Sequence, residues 1–220
     1  MTHEALSYTI RPMELGDIPT VVAIDQLSFP TPWPASSYAY ELKHRNASFY
    51  YVLLKPEENG EPRSEQGWRR WLLSVPGLGK QERRVIGYLG LRLCSSETHI
   101  STIAVHPNWR GKGLGEFLLL TALERSWKME FGAVTLEVRP SNQVAQRLYR
   151  KYGFRFTGVH AGYYRDGEDA WLMAVEIDQD AYRARLAELR RNLELRLSNH
   201  LPSKHDSSTT HVGQNPEGKL

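Results

Sequence analysis

The chain has 220 residues, 40% of them hydrophobic, which suits one domain with a real core and room for additions. A formal net charge of +3, from 28 Lys and Arg against 25 Asp and Glu, is too mild to imply a nucleic-acid partner, and no direct nucleic-acid role is expected. The one cysteine, Cys94, excludes an intramolecular disulfide and a cysteine-based zinc cluster, so no metal is expected. It ends the strand-like run Leu91-Arg92-Leu93-Cys94, where a packed thiol is expected. Met1-Thr2-His3-Glu4 opens no basic region followed by an apolar stretch, and no apolar run reaches membrane-spanning length. A cytoplasmic protein without a transmembrane segment is expected.

Ser7 to Arg11 reads as a first strand. Asp17 is placed to cap a helix carrying Ile18, Val21, Val22 and Leu27, with Pro19 tolerable in its first turn. Phe29-Pro30-Thr31-Pro32-Trp33-Pro34 is a stiff aromatic loop, and a second helix follows from Ala35 to about His44. Phe49 to Leu54 is a strand. Residues 55–84, dominated by Pro, Gly, Glu and Arg, read as an insertion between two strands. Within it, Trp68-Arg69-Arg70-Trp71-Leu72-Leu73 is a basic aromatic window suited to a membrane surface or RNA, or to local clustering in a flexible loop. Val85 to Leu93 and His99 to Val105 resume the sheet.

Ile103-Ala104-Val105 then runs through His106-Pro107-Asn108-Trp109 into Arg110-Gly111-Lys112-Gly113-Leu114-Gly115, and a Leu- and Ala-rich helix extends from Glu116 to about Met129. Such a strand–turn–helix unit aims unpaired backbone N–H groups and a positive helix end at one point, where a phosphate chain binds. Arg110 and Lys112 add charge beside it. The glycines miss the dinucleotide pattern G-x-G-x-x-G by one position, and no Ser or Thr follows Lys112 as a Walker loop requires. A side chain at Gly113 is expected to fill the phosphate space.

Val134, Leu136 and Val138 alternate with Thr135 and Glu137 as a strand, placing Glu137 on the opposite face. Ser141 is the expected N-cap of a helix carrying Val144, Ala145, Leu148 and Tyr152, which Gly153 ends. Phe154 to Val159 and Ala170 to Ile177 supply the last two strands. Between Asp178 and Asn199 the stripe Tyr182, Leu186, Leu189, Leu193 and Leu197 predicts a helix packed on the domain or on a second copy. From Pro202 onward the scarcity of apolar residues predicts a disordered tail. The element order gives an α+β fold.

Two motifs resemble the GNAT superfamily of N-acetyltransferases. Arg110-Gly111-Lys112-Gly113-Leu114-Gly115 matches its R/Q-x-x-G-x-G/A pyrophosphate signature, with Ile103-Ala104-Val105-x-Pro107 as the preceding strand and turn. Leu136-Glu137-Val138-Arg139-Pro140-Ser141-Asn142, Leu148-Tyr149 and Tyr152-Gly153-Phe154, with Tyr163-Tyr164 and Glu168 to Met173, resemble its ribosomal-protein alanine N-acetyltransferase (RimI-type) branch over about residues 8–177. The resemblance implies a mixed, mostly antiparallel central sheet flanked by helices on both faces, with the C-terminal helix as an extra. It implies acetyl-CoA as co-substrate, held by Ile103, Ala104, Val105, Arg110 to Gly115, Glu116 and Asn142. It implies Glu137 as the base that deprotonates the substrate amine and Tyr149 as the acid that protonates the coenzyme thiolate. Phe29, Trp33, Tyr163 and Tyr164 are expected to line the substrate side.

An acetyl thioester is already activated, so the chemistry needs a free amine, a stabilised oxyanion and a protonated leaving thiolate, with no covalent intermediate. The expected reaction is acetylation of a protein N-terminus such as that of a ribosomal protein. A lysine or small-molecule amine acceptor, or an acyl-CoA-binding module without turnover, are the alternatives. His99 and His106 are two further imidazoles with no matched partner visible, expected to be solvated or locally hydrogen-bonded. Oligomeric state stays open.

Overall fold

The computed structural model describes residues 8–44, 47–56 and 84–198. Seven strands form one sheet: β1 (Thr9–Pro12), β2 (Ser48–Leu54), β3 (Val85–Leu93), β4 (Glu97–Val105), β5 (Ala133–Val138), β6 (Arg155–His160) and β7 (Ala170–Glu176). Their order is β1-β2-β3-β4-β5-β7-β6, antiparallel throughout except for the parallel pair β4 and β5. Five α-helices, α1 (Ile18–Ser28), α2 (Ala35–Lys43), α3 (Leu114–Lys128), α4 (Gln143–Lys151) and α5 (Asp180–Ser198), and two 3-10 turns, Leu15–Asp17 and Pro107–Trp109, complete the described elements. None of these helices is long and apolar enough to cross a membrane.

The period-2 alternation of the strands divides the core into two layers. Val134, Leu136 and Val138 of β5 join Leu114, Leu118, Leu119 and Leu123 of α3 and Tyr149 and Tyr152 of α4 on one face. Val21 and Ile24 of α1 and Tyr38 and Leu42 of α2 cover Val52, Tyr88 and Ala104 on the other. Helices thus flank both faces, as expected. The stripe on α5 is real: Leu186, Leu193 and Leu197 are buried in the first layer, with Tyr182 and Leu189 half-buried beside them.

Three local expectations need correction. Asp17 does stand at the start of α1, but its carboxylate does not cap that helix. It takes two hydrogen bonds of 2.7 Å from Arg11 and one of 2.8 Å from the Glu14 N–H, because the guanidinium of the neighbouring strand offers a bidentate partner. The N-cap of α4 is Asn142 rather than Ser141; its Oδ1 accepts from the Ala145 N–H at 3.1 Å. Cys94 is exposed, because β3 ends at Leu93 and the thiol falls in the turn to β4.

β2 and β3 are sheet neighbours, and the Lys55 N–H donates to the Arg84 carbonyl at 2.8 Å, so the chain leaves and re-enters the sheet at one neck. The window Trp68 to Leu73 and the expected tail lie outside the described residues.

A β-bulge interrupts the β3–β4 ladder. Gly90 pairs with Thr102 and Leu91 with Ile100, leaving Ser101 as the extra residue. A Cβ on Gly90 would lie 2.6 Å from Tyr50 Cε1 and 2.8 Å from Ser101 Oγ. Gly90→Ala is therefore expected to cost about 1–3 kcal/mol through overpacking, read as a lower urea midpoint at unchanged slope.

Candidate active site

The site begins where β4 and β5 part. Their pairing runs from Glu97 with Ala133 to Ile100 with Leu136 and goes no further. Beyond that point β5 stays with β7, Glu137 opposite Leu172 and Val138 opposite Trp171, while β4 stays with β3. The β5-facing edge of Ile103, Ala104 and Val105 is thus left without a ladder, and a ligand can supply one. The bulge at Ser101 lies where the two strands separate, which is where added twist turns β4 away.

At the far end of this gap the chain turns into α3. Gly111 and Gly113 adopt φ of +79° and +82°, left-handed values that glycine permits at little cost. The first intrahelical hydrogen bond runs from the Phe117 N–H to the Gly113 carbonyl at 3.0 Å, so the N–H groups of Leu114, Gly115 and Glu116 have no helical acceptor. A Cβ built on Gly111 or Gly115 would meet nothing within 4 Å, so the turn is open beside both glycines. Those donors, the helix end and the space together suit a diphosphate.

The charged residues of the loop play distinct parts. Arg110 Nε donates to the Val105 carbonyl at 3.0 Å and its Nη2 to Ser28 Oγ at 2.9 Å, tying the loop to β4 and to the end of α1. Lys112 lies over the Trp109 ring at 4.6 Å. The Glu116 carboxylate is turned into the protein, where Lys151, Tyr152 and Arg196 donate to it. One expectation changes here: a Cβ on Gly113 points not into open space but at Leu193 Cδ1, 3.3 Å away.

Glu137 stands on the α1/α2 face of β5 beside the last β4–β5 pair. His99, expected to be an isolated imidazole, meets it: His99 Nε2 and Glu137 Oε2 are 2.8 Å apart. The other ring nitrogen, Nδ1, lies 3.1 Å from Thr135 Oγ1, whose hydroxyl donates to Glu97 Oε1 at 3.0 Å. Both ring nitrogens are thereby fixed, which sets the orientation of the imidazole. The in-register pairing of His99 with Thr135 produces this contact, and no local pattern around His99 reveals it. His106 conforms to expectation: its Nδ1 accepts from the Asn108 N–H at 3.2 Å and caps a short 3-10 turn.

Tyr149, on α4, is buried against Phe154 with ring centroids 5.7 Å apart. Burial pushes its hydroxyl well above the ordinary range, so it carries its proton at neutral pH. Tyr163 and Tyr164 meet edge to face at 5.1 Å in the β6–β7 loop, and both are raised by burial and also by the nearby Glu137 carboxylate. Tyr164 is pushed up to about 12.

Arg139 is an organiser that its flanking residues do not advertise. Its guanidinium lies 3.7 Å from the Tyr164 ring centroid and bonds Asp166 at 2.8 Å and Glu168 at 2.7 Å. Glu168 also accepts from the Ser141 N–H at 2.9 Å, so the β6–β7 loop is fastened to the turn before α4. Phe29 and Trp33 are half-buried, packed against the second core layer. The Trp33 N–H donates to Asp25 Oδ2 at 2.5 Å, and the Tyr88 hydroxyl donates to the other Asp25 oxygen, so a buried carboxylate holds the loop's shape.

The Acetyltransferase (GNAT) family model matches residues 18–154. The chain belongs to the GNAT acetyltransferase family. It is an N-acetyltransferase, and that family uses acetyl-CoA as co-substrate. An N-alpha-acetyltransferase of Sulfurisphaera tokodaii is 33% identical over 174 residues, spanning 77% of this chain and 93% of that one. The [ribosomal protein bS18]-alanine N-acetyltransferase of Escherichia coli is 29% identical over 172 residues, spanning 77% and 97%. The crystal structure of the ribosomal-protein-S18-alanine N-acetyltransferase from Escherichia coli superposes with a TM-score of 0.60 at 26% identity, covering 78% of this chain and 95% of that one. The glycine turn and the open edge of β4 fit the coenzyme's diphosphate and its amide-bearing arm.

Gly115→Glu separates the fold from the ligand. An acidic residue in the first turn favours the helix but opposes an incoming phosphate. The melting temperature is expected to hold, while acetyl-CoA affinity falls at least about tenfold by calorimetry.

Proposed function

We propose that this N-acetyltransferase acetylates the N-terminal α-amino group of a protein, with a ribosomal protein as the acceptor and the cytoplasm as the place. The observation that carries the reading is the Glu137–His99 pair, 2.8 Å apart, at the point where β4 and β5 diverge. The acceptor nitrogen enters from the Glu137 side and the thioester lies along the open edge of β4.

In this reading the amine nitrogen attacks the acetyl carbonyl carbon. A proton passes from nitrogen to Glu137, whose carboxylate His99 holds in place. The new C–N bond forms, the C–S bond breaks, and the Tyr149 hydroxyl gives its proton to the departing sulfur. Backbone N–H groups on β4 hold the thioester carbonyl as it gains charge. Asn142 and the loop from Arg110 to Glu116 hold the coenzyme. Tyr163 and Tyr164, together with Phe29 and Trp33 on the opposite loop, wall the groove through which a peptide N-terminus reaches Glu137.

The acid–base arithmetic favours an α-amine over a lysine. An α-amino group ionises near 8 and a lysine near 10.4, so freeing the lysine nitrogen at the same pH costs about 3 kcal/mol more. A single carboxylate oriented by one imidazole suits the smaller demand. The names of the relatives, which act on an alanine N-terminus of ribosomal protein bS18 or on α-amino groups, support the same acceptor class.

Labelled acetyl-CoA, an alanine-starting peptide and an N-terminally blocked peptide with an internal lysine test the reading. Label is expected on the first peptide alone, and label on the blocked peptide would overturn α-amine specificity. Glu137→Gln is expected to lower kcat by about 10²–10⁴-fold with acetyl-CoA affinity retained.

A further inference from the structure

The C-terminal helix lies beyond the matched family region, yet it reaches the coenzyme loop. Leu193 and Leu197, both fully buried, lie against Gly113: a Cβ there would stand 3.3 Å from Leu193 Cδ1 and 3.6 Å from Leu197 Cδ2. One turn away, Arg196 Nη2 donates to both oxygens of Glu116 at 2.9 Å. Lys151 of α4 donates to Oε1 at 2.5 Å and the Tyr152 hydroxyl at 2.9 Å. Glu116 is therefore the meeting point of α3, α4 and α5.

Its position makes this cluster consequential. The Glu116 N–H is one of the unbonded donors of the phosphate cradle, so its side chain places a negative charge in the first turn of α3, where an anionic ligand is to bind. Left alone, that carboxylate would oppose the ligand. Two cations and one hydroxyl meet it instead. Burial favours the neutral acid, but the hydrogen bonds from Lys151, Arg196 and Tyr152 outweigh this and keep the carboxyl below its usual range.

We propose that α5 is a working part of the coenzyme site: Arg196, with Lys151, outnumbers the Glu116 carboxylate so that the start of α3 presents net positive charge to the phosphates, while Leu193 and Leu197 brace the turn at Gly113. The inference rests on the loop from Arg110 to Glu116 being the seat of the coenzyme phosphates. Arg196 touches neither reacting group; it is a positioning residue that acts through Glu116. Removing α5 outright would strip three buried leucines, each worth about 1.5–3 kcal/mol, so a truncation would report on folding and point variants are the instrument.

The test is a charge series in the full-length chain, read by calorimetry with acetyl-CoA at low and high salt and by the peptide KM. Arg196→Ala is expected to weaken acetyl-CoA binding about fivefold at low salt, with the loss shrinking as salt screens it. Arg196→Lys retains affinity. Glu116→Gln with Arg196 intact binds about threefold more tightly, and Glu116→Gln combined with Arg196→Ala returns to within about twofold of the wild type. The peptide KM moves less than twofold throughout. A purely structural role for Arg196 predicts a loss in Arg196→Ala that high salt does not shrink, and that result overturns the proposal, as does wild-type affinity in Arg196→Ala. Should Arg196→Ala fail to fold, the Glu116→Gln variant alone decides: unchanged or weaker binding refutes the charge balance. Acetyl-CoA binding by the wild type and its loss in Gly115→Glu establish the seat independently. If either of these fails, it is the seat that is wrong rather than the role of α5.

Discussion

The separation of two parallel strands governs the rest of the structure. β4 and β5 share a ladder only through Ile100 and Leu136. Had the pairing continued, the β5-facing edge of β4 from Ile103 to Val105 would be spent on β5, and Glu137 would face a closed sheet. The divergence has two identifiable sources. The bulge at Ser101 bends β4, and Gly90 supplies the close approach that the bulge needs. On the other side β7 holds β5 over its whole length, from Ala133 with Glu176 to Val138 with Trp171. The edge that the sheet leaves open, apart from the Val105 carbonyl held by Arg110, can take a ligand, and the glycine turn at the start of α3 follows it in the chain.

Around that gap, polar anchors replace loop freedom with fixed geometry. Arg110 fastens the glycine loop to β4 and α1, Arg139 fastens the β6–β7 loop to the turn before α4, and Asp25 fastens the aromatic loop to β3 through Tyr88. Each anchor joins a loop to a rigid element, so its contribution lies in placement more than in net stability. Of the two ion pairs the one to Asp166 reaches the surface, and exposed pairs add little to folding free energy, while the one to Glu168 is part-buried. In the proposed reaction Tyr149 and Glu137 divide the proton chemistry between them. Burial keeps the phenol protonated, and the carboxylate stands on the opposite side of β5 with an oriented imidazole.

The sequence made the scaffold legible where a local period or a turn residue carries the signal. The alternation of Val134 to Val138 located β5 and the face of Glu137, and the leucine stripe from Leu186 to Leu197 located α5 and its buried side. The glycine pattern after Arg110 located the helix start. What escaped depends on contacts between segments distant in the chain. His99 meets Glu137 only through strand pairing, Arg139 finds Asp166 and Glu168 only after the β6–β7 hairpin folds back, and Arg196 reaches Glu116 only because α5 crosses α3. Cys94 and Ser141 were displaced by a single residue at an element's end, where a strand stops one position early or a cap falls one position late. The side chain expected at Gly113 was misdirected because its neighbour is α5, for which the glycine motif carries no signal.

Amide hydrogen exchange with and without acetyl-CoA addresses the central claim most directly, because the proposed contacts are made by backbone N–H groups. Ligand is expected to slow exchange on the stretch from Ile103 to Val105 and from Gly111 to Glu116, with β1, β2 and β6 unaffected. Saturating acetyl-CoA that leaves both stretches exchanging as in the free protein would contradict the assignment of the β4–β5 gap and the glycine turn as the seat of the coenzyme.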